Sequence, residues 1–240
     1  MKLAADLHIH SVLSPCGDDE MTPNNIVNMC CLKELDVISV TDHNSMLNCK
    51  AVIELAKAND LLVIPGMEVT TKEEVHVLCY FRDVYKGMEF SELIYDSLPK
   101  VYNNEKIFGP QIIMDKDDNY LGKVEKLLIS STFYTINEVY RLVREKGGIM
   151  IPAHIDRSSF SILSSLGFIP IDLDIKSVEI SNHELIKPIC SKFKLKDYKI
   201  MRNSDAHYLK DINERDFFIY PKEKTINSVI NYLSTSEEMK

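Results

Sequence analysis

Lys2 to His43, KLAADLHIHSVLSPCGDDEMTPNNIVNMCCLKELDVISVTDH, holds one full repeat of the fold. Lys2–His10 reads as a strand. Thr22-Pro23 then opens a helix, with Thr22 as N-cap and Pro23 at the first helical position. Ile26, Val27, Cys30, Cys31 and Leu35 follow at helical spacing, and Asp36–Thr41 (DVISVT) is a second strand. Outward from this unit the alternation continues. Helices are predicted over 45–59, 87–98, 135–146, 158–166 and 225–233. Strands are predicted over 61–70 (broken at Pro65-Gly66), 74–81, 148–154, 177–181, 199–204 and 217–220. Repeated β-then-α units favour a parallel sheet, open or closed into a barrel.

The 240 residues suit one domain with a substantial core, and 45% hydrophobic with 27% charged residues excludes whole-chain disorder. Residues 99–131 break the alternation with Asn103-Asn104, Gly109-Pro110 and an acidic run. They read as a hairpin insertion with QIIMD and YLGKV as arms, a candidate lid over a small substrate. The formal net charge of −8 argues against a broadly basic nucleic-acid surface, so long nucleic acid is not the expected partner. The six cysteines form no CxxC pair, the N-terminus has no apolar leader segment, and no apolar run reaches the length of a membrane span. A reduced, cytoplasmic protein is the expectation. Nothing in the sequence specifies an oligomeric state.

Polar, potentially reactive residues gather at strand C-termini: His8 and His10, Asp42 and His43, Glu68, His154, then Asp205 and His207. Active sites lie at that face of β/α barrels and open α/β sheets. On a strand, His8 and His10 share a face with Asp6. Paired imidazoles make poor core material but suit a divalent cation, and Asp205-Ala206-His207 repeats the geometry. Mixed imidazole and carboxylate donors fit Zn, Mn or Fe. Within the apolar run VHVLCYF, His76 taken alone reads as a core histidine.

DLHIHS (6–11), TDHN (41–44), GMEV (66–69), VHVL (75–78), PAH (152–154) and SDAH (204–207) together resemble the motifs of the PHP (polymerase and histidinol phosphatase) family in order and spacing. The resemblance implies a single catalytic domain over residues 1–240, folded as a distorted (β/α)7 TIM-like barrel, with three divalent ions (Zn, Mn or Fe) at the strand ends. By motif, His8, His10, Glu68 and Asp205 would hold one ion. Glu68 would bridge to a second, held also by His76 and His154, and His43 and His207 would hold a third with a ligand from the loop after the first motif. Counting back from Met21-Thr22-Pro23 favours Asp18 as that ligand; counting forward from His10 lands nearer Cys16, which would bias the site toward Zn. Asp6 and Asp42 would orient ligand histidines rather than ligate.

The implied activity is phosphoesterase or phosphatase chemistry on a small phosphomonoester or nucleotide, by attack of a metal-bound hydroxide. Arg157 is a candidate to fork onto the phosphate, against a surface salt bridge as its plain reading. His183 is a candidate proton donor to the leaving oxygen, against ligand support or a turn cap. Three rival readings are a nuclease or phosphodiesterase of the same fold, a non-catalytic metal-binding regulatory module, and an amidohydrolase-like barrel. The last is disfavoured because no Lys stands at a matching strand end.

Overall fold

A computed structural model describes residues 1–235. In chain order the first half comprises β1 (Leu3–Ile9), α1 (Pro23–Leu32), β2 (Val37–Val40), α2 (Cys49–Ala56), β3 (Leu62–Val63), β4 (Gly66–Thr70), β5 (His76–Tyr80) and α3 (Val84–Asp96). The insertion contributes α4 (Glu105–Phe108), β6 (Ile112–Met114) and β7 (Tyr120–Lys123). There follow α5 (Ile136–Glu145), β8 (Ile149–Pro152), α6 (Ile162–Ser165), β9 (Ser177–Glu179), α7 (Ile186–Phe193), β10 (Lys199–Met201), β11 (Phe218–Ile219) and α8 (Ile226–Ser234).

Local chemistry explains the element ends. The Thr22 side chain accepts the Asn25 N–H at the start of α1, and Thr135 with Glu138 forms a reciprocal capping box on α5. Pro65-Gly66 separates β3 from β4. Gly66 is required there by close approach, because a Cβ would stand 2.6 Å from Ser39 Oγ and 2.8 Å from Tyr80 Cδ1.

β1, β2 and β3 pair in parallel, as do β9 and β10. The uniform parallel order expected from the sequence fails at β5, which runs antiparallel to both β4 and β8, and at β11, antiparallel to β1. Only residues 71–75 link β4 to β5. A parallel return needs a crossover of about a dozen residues, so this link can only make a hairpin. Among the described residues the strands form separate sheets, ordered β11-β1-β2-β3, β4-β5-β8, β9-β10 and β6-β7, rather than one closed by continuous pairing. Single links join them where functional residues stand: bridges His43–Glu68 and Ile9–Ala206, and the Ile155 N–H to Glu179 carbonyl bond of 2.9 Å.

The core packs α3 and α5 on β4, β5 and β8, with Phe81 and Phe90 rings 5.2 Å apart. The insertion hairpin has the arms expected of it, with Ile112 opposite Lys123. It is pinned by buried Asn48, which accepts from Met114 N–H and donates to the Ile112 carbonyl, and by Asp118, which accepts from Thr22 and Asn24 at the start of α1. No helix among the described residues is long and apolar enough to cross a membrane.

Candidate metal centre

The period of two along β1, carried one residue past its end, sends His8 and His10 inward together, and both are fully buried. Their hydrogen bonds decide which ring nitrogen carries the proton. His8 Nδ1 lies 3.1 and 3.0 Å from the two Glu179 carboxylate oxygens and so donates. His10 Nδ1 lies 2.9 Å from Ser14 Oγ, whose own proton goes to Asp42 Oδ1 at 2.7 Å; His10 Nδ1 is therefore a donor too. Asp42 also accepts from the Ser11 N–H and hydroxyl, which locks the assembly. Both Nε2 lone pairs are left facing one another at 3.1 Å. Asp205 Oδ1 stands 3.2 and 3.1 Å from the same two nitrogens. Acceptors converging in a buried space call for a cation between them.

Glu68 is the hub of the remainder. It sits mid-strand on β4, 1% exposed, with His8 and His10 Nε2 at 3.4 and 3.5 Å. His43 Nδ1 lies 3.0 Å, His76 Nδ1 2.9 Å and His154 Nε2 3.2 Å from its oxygens. Although it lies close to Glu68, buried His43 Nδ1 makes no aligned hydrogen bond, as expected of an atom that faces a ligand rather than a protein partner. His154 (φ +26°) and Asp205 (φ +52°) occupy the left-handed region, a backbone cost that functional sites commonly carry.

A third group joins His10, His43 and His207 to Cys16. His207 Nδ1 lies 2.8 Å from the Asp205 carbonyl and donates to it, so Nε2 presents its lone pair to Cys16 Sγ at 3.1 Å. Asp18, favoured from the sequence, is elsewhere engaged. Its carboxylate accepts the Glu20 N–H at 3.0 Å in a local turn, and its N–H donates to the His207 carbonyl. The structure thus brings Cys16, and not Asp18, to the cluster.

The electrostatics ask for positive charge. Burial opposes ionisation of Glu68, but His76, His8 and His43 outweigh it and hold the carboxyl well below its usual range. Asp205 is likewise lowered against burial, chiefly by His8 and His10. Burial disfavours charged His8, yet Asp205, Glu179 and Glu68 push its pKa well up. His43 rises to about 10 against burial, through Glu68 and Cys16. His10 moves down, because burial, His207 and His43 all disfavour a further charge. For Cys16, burial opposes the thiolate, but hydrogen bonds from His207 and His43 bring the thiol to about 7. Bound cations would answer the same surplus of negative charge that raises the pKa of His8 and His43. The donor set therefore fits divalent metal: N and O donors around Glu68, and a softer N and S set around Cys16.

Glu179 was missed in the sequence. It is fully buried at the end of β9, accepting from His8, from Asn203 Nδ2 at 2.7 Å and from His154 N–H at 2.9 Å. Burial works against its ionisation, but His8 holds the carboxyl below its ordinary value. Arg157 reaches the site edge, its Nη2 2.6 Å from Asp205 Oδ2 with the side chain 47% exposed. His183 is not brought to the cluster. Asp156 accepts from Ser181 and Asn182 N–H, the chain turns outward, and His183 opens a short exposed helical turn. Asp6 accepts from Ser204 and Asn213 N–H, tying β1 to the Asp205 loop.

The PHP domain profile matches residues 6–158, spanning the motifs that supply His8 through His154. The chain belongs to the PHP domain family. Uncharacterized protein MJ1587 of Methanocaldococcus jannaschii is 32% identical over 101 residues, 38% of this chain and 59% of that protein. The lesion-specific endonuclease Q of Pyrococcus furiosus superposes with TM-score 0.70 at 20% identity, over 98% of this chain and 56% of that one. A protein from Bifidobacterium adolescentis described as a candidate metal-dependent phosphoesterase gives 0.63 at 16% identity, over 98% and 97%. This PHP chain thus spans a little over half the length of MJ1587 and of endonuclease Q. The structural likenesses establish the α/β fold. They also correct one sequence reading: the net charge of −8 does not exclude long nucleic acid. An endonuclease Q complex of the same fold (TM-score 0.69, 20% identity, 96% of this chain and 56% of that one) holds a 27-mer duplex with an abasic lesion at the active site. Total charge averages over the surface, whereas a bound phosphate responds only to the local field.

Proposed function

We propose that this PHP protein is a metal-dependent phosphoesterase with a distorted barrel closed through the single bridges between its sheets. The observation that carries the reading is the pair of inward lone pairs on His8 and His10, 3.1 Å apart and ringed by Glu68 and Asp205. His8, His10, Glu68 and Asp205 would hold one cation, and Glu68, His76 and His154 a second. Cys16, His43 and His207 would hold a third, with Zn, Mn and Fe the candidate metals. When bound, such cations supply Lewis-acid stabilisation of phosphoryl charge and acidify a water molecule. Around them, Glu179 and Ser14 fix the tautomers of His8 and His10, so that ligand atoms face inward without rearrangement. Arg157, half in solvent, can leave Asp205 to bind a phosphate oxygen by its guanidinium fork. His183, exposed on its turn, would reach a leaving oxygen only by moving inward.

A small phosphomonoester or nucleotide is one substrate class. Cleavage of a DNA phosphodiester is the second, favoured by the likeness to endonuclease Q. The test is a panel of phosphomonoesters, dinucleotide diesters and duplex DNA with an abasic site, assayed with Mn²⁺, Zn²⁺ and Fe²⁺, against Glu68→Gln. Hydrolysis of at least one class, lost in the variant, is expected. Full activity in Glu68→Gln, or none with any class and metal, rejects the proposal.

A further inference from the structure

Phe160 stands at the edge of the metal centre in a conformation that its residue type does not favour. Its φ is +55°, in the left-handed region where a bulky side chain is an outlier. Two contacts hold it there: its carbonyl accepts the His76 N–H at 2.9 Å, and its ring stacks on the His76 imidazole at 4.9 Å and 30°. The turn is locked, because the Ser161 hydroxyl donates to the Arg157 carbonyl at 2.7 Å and also caps α6. Yet Phe160 is 44% exposed, so ring surface not covered by His76 faces solvent. One hydrogen-bonded turn therefore presents the guanidinium proposed above to bind phosphate, here paired with Asp205, and a solvent-facing aromatic surface beside the same cluster.

We infer that Phe160 is a stacking platform for the leaving group, and that the substrate class is a phosphoester of a nucleoside or similar planar aromatic alcohol. The inference rests on the phosphoesterase reading and deepens it. Stacking tolerates any base, because every base has a π-face, so purines and pyrimidines should both be accepted. The test pairs adenosine 5′-monophosphate with ribose 5-phosphate, which share the same primary phosphoester and differ in the base. Wild type should favour the nucleotide in kcat/KM by about tenfold, carried mainly in KM. Phe160→Leu should bring the ratio near one, with the loss falling on KM for the nucleotide, and Phe160→Trp should restore the preference. Calorimetric titration of both ligands into zinc-loaded protein reads the same ratio without turnover. Equal activity and equal binding in wild type, or an unchanged preference in Phe160→Leu, overturns the platform. Parallel loss on both substrates in Phe160→Leu also overturns it, as a structural role. Nucleotide-selective binding with no turnover rejects the phosphoesterase reading instead and leaves the platform standing.

Discussion

Glu179→Gln replaces one carboxylate oxygen with an amide nitrogen at almost constant volume. One Glu179 oxygen faces His8 Nδ1 and Asn203 Nδ2, at 3.1 and 2.7 Å; the other faces His8 Nδ1 and the His154 N–H, at 3.0 and 2.9 Å. Each oxygen meets donors only, so whichever one becomes NH₂ opposes an N–H. Asn203 cannot flip to relieve it, because its Oδ1 is held by the Leu7 N–H at 3.0 Å. A buried donor left unpaired costs about 1–3 kcal/mol. For a chain of this size, about 2 kcal/mol corresponds to a fall in Tm of about 4–8 °C. His8 also loses the charge that fixes its tautomer, which should weaken metal affinity by about 10–100-fold. Thermal melts of metal-free protein and competitive zinc titration measure the two effects. A Tm within about 1 °C of wild type together with unchanged zinc affinity would refute the reasoning.

Glu68→Gln should lower activity by more than about 100-fold, beyond what a merely supporting residue costs, and should reduce bound metal on elemental analysis. In metal-free protein Cys16 should alkylate first among the cysteines: its thiolate fraction grows as pH rises through about 7, so iodoacetamide labelling should be slow below that pH and fast above it. Cys49, buried with its thiol pushed up to about 12, should stay unlabelled by mass spectrometry across that range, and added zinc should protect Cys16. Gly66→Ala should destabilise by about 1–3 kcal/mol in urea unfolding, because its Cβ meets Ser39 and Tyr80 inside contact distance; a neutral effect would mean that the strand break can shift.

The parts of the site that the sequence reveals are those written in local periodicity. His8 and His10 share a face because strands repeat every second residue, and Thr22-Pro23 marks a helix start because capping acts within one turn. Strand direction is different. β5 has the same apolar pattern whichever way it runs, and only the short 71–75 link forces it antiparallel. Cys16 and Asp18 lie in an irregular loop where no period ranks them; tertiary bonds to His207 do. Glu179 carries no local signal, since a lone Glu in SVEISNHE is unremarkable until β9 places it behind His8. The helix Ile186–Phe193 was not predicted either: Pro188 sits in its first turn, where a proline is tolerated, but reads in sequence as a break.

Anomalous diffraction from crystals grown with Zn²⁺ or Mn²⁺ bears most directly on the clustered-cation centre. A peak between His8 Nε2, His10 Nε2 and Asp205 is expected, with further density beside Glu68–His76–His154 and Cys16–His43–His207. Crystals with metal in the solution and no peak within bonding distance of His8 and His10 would contradict it.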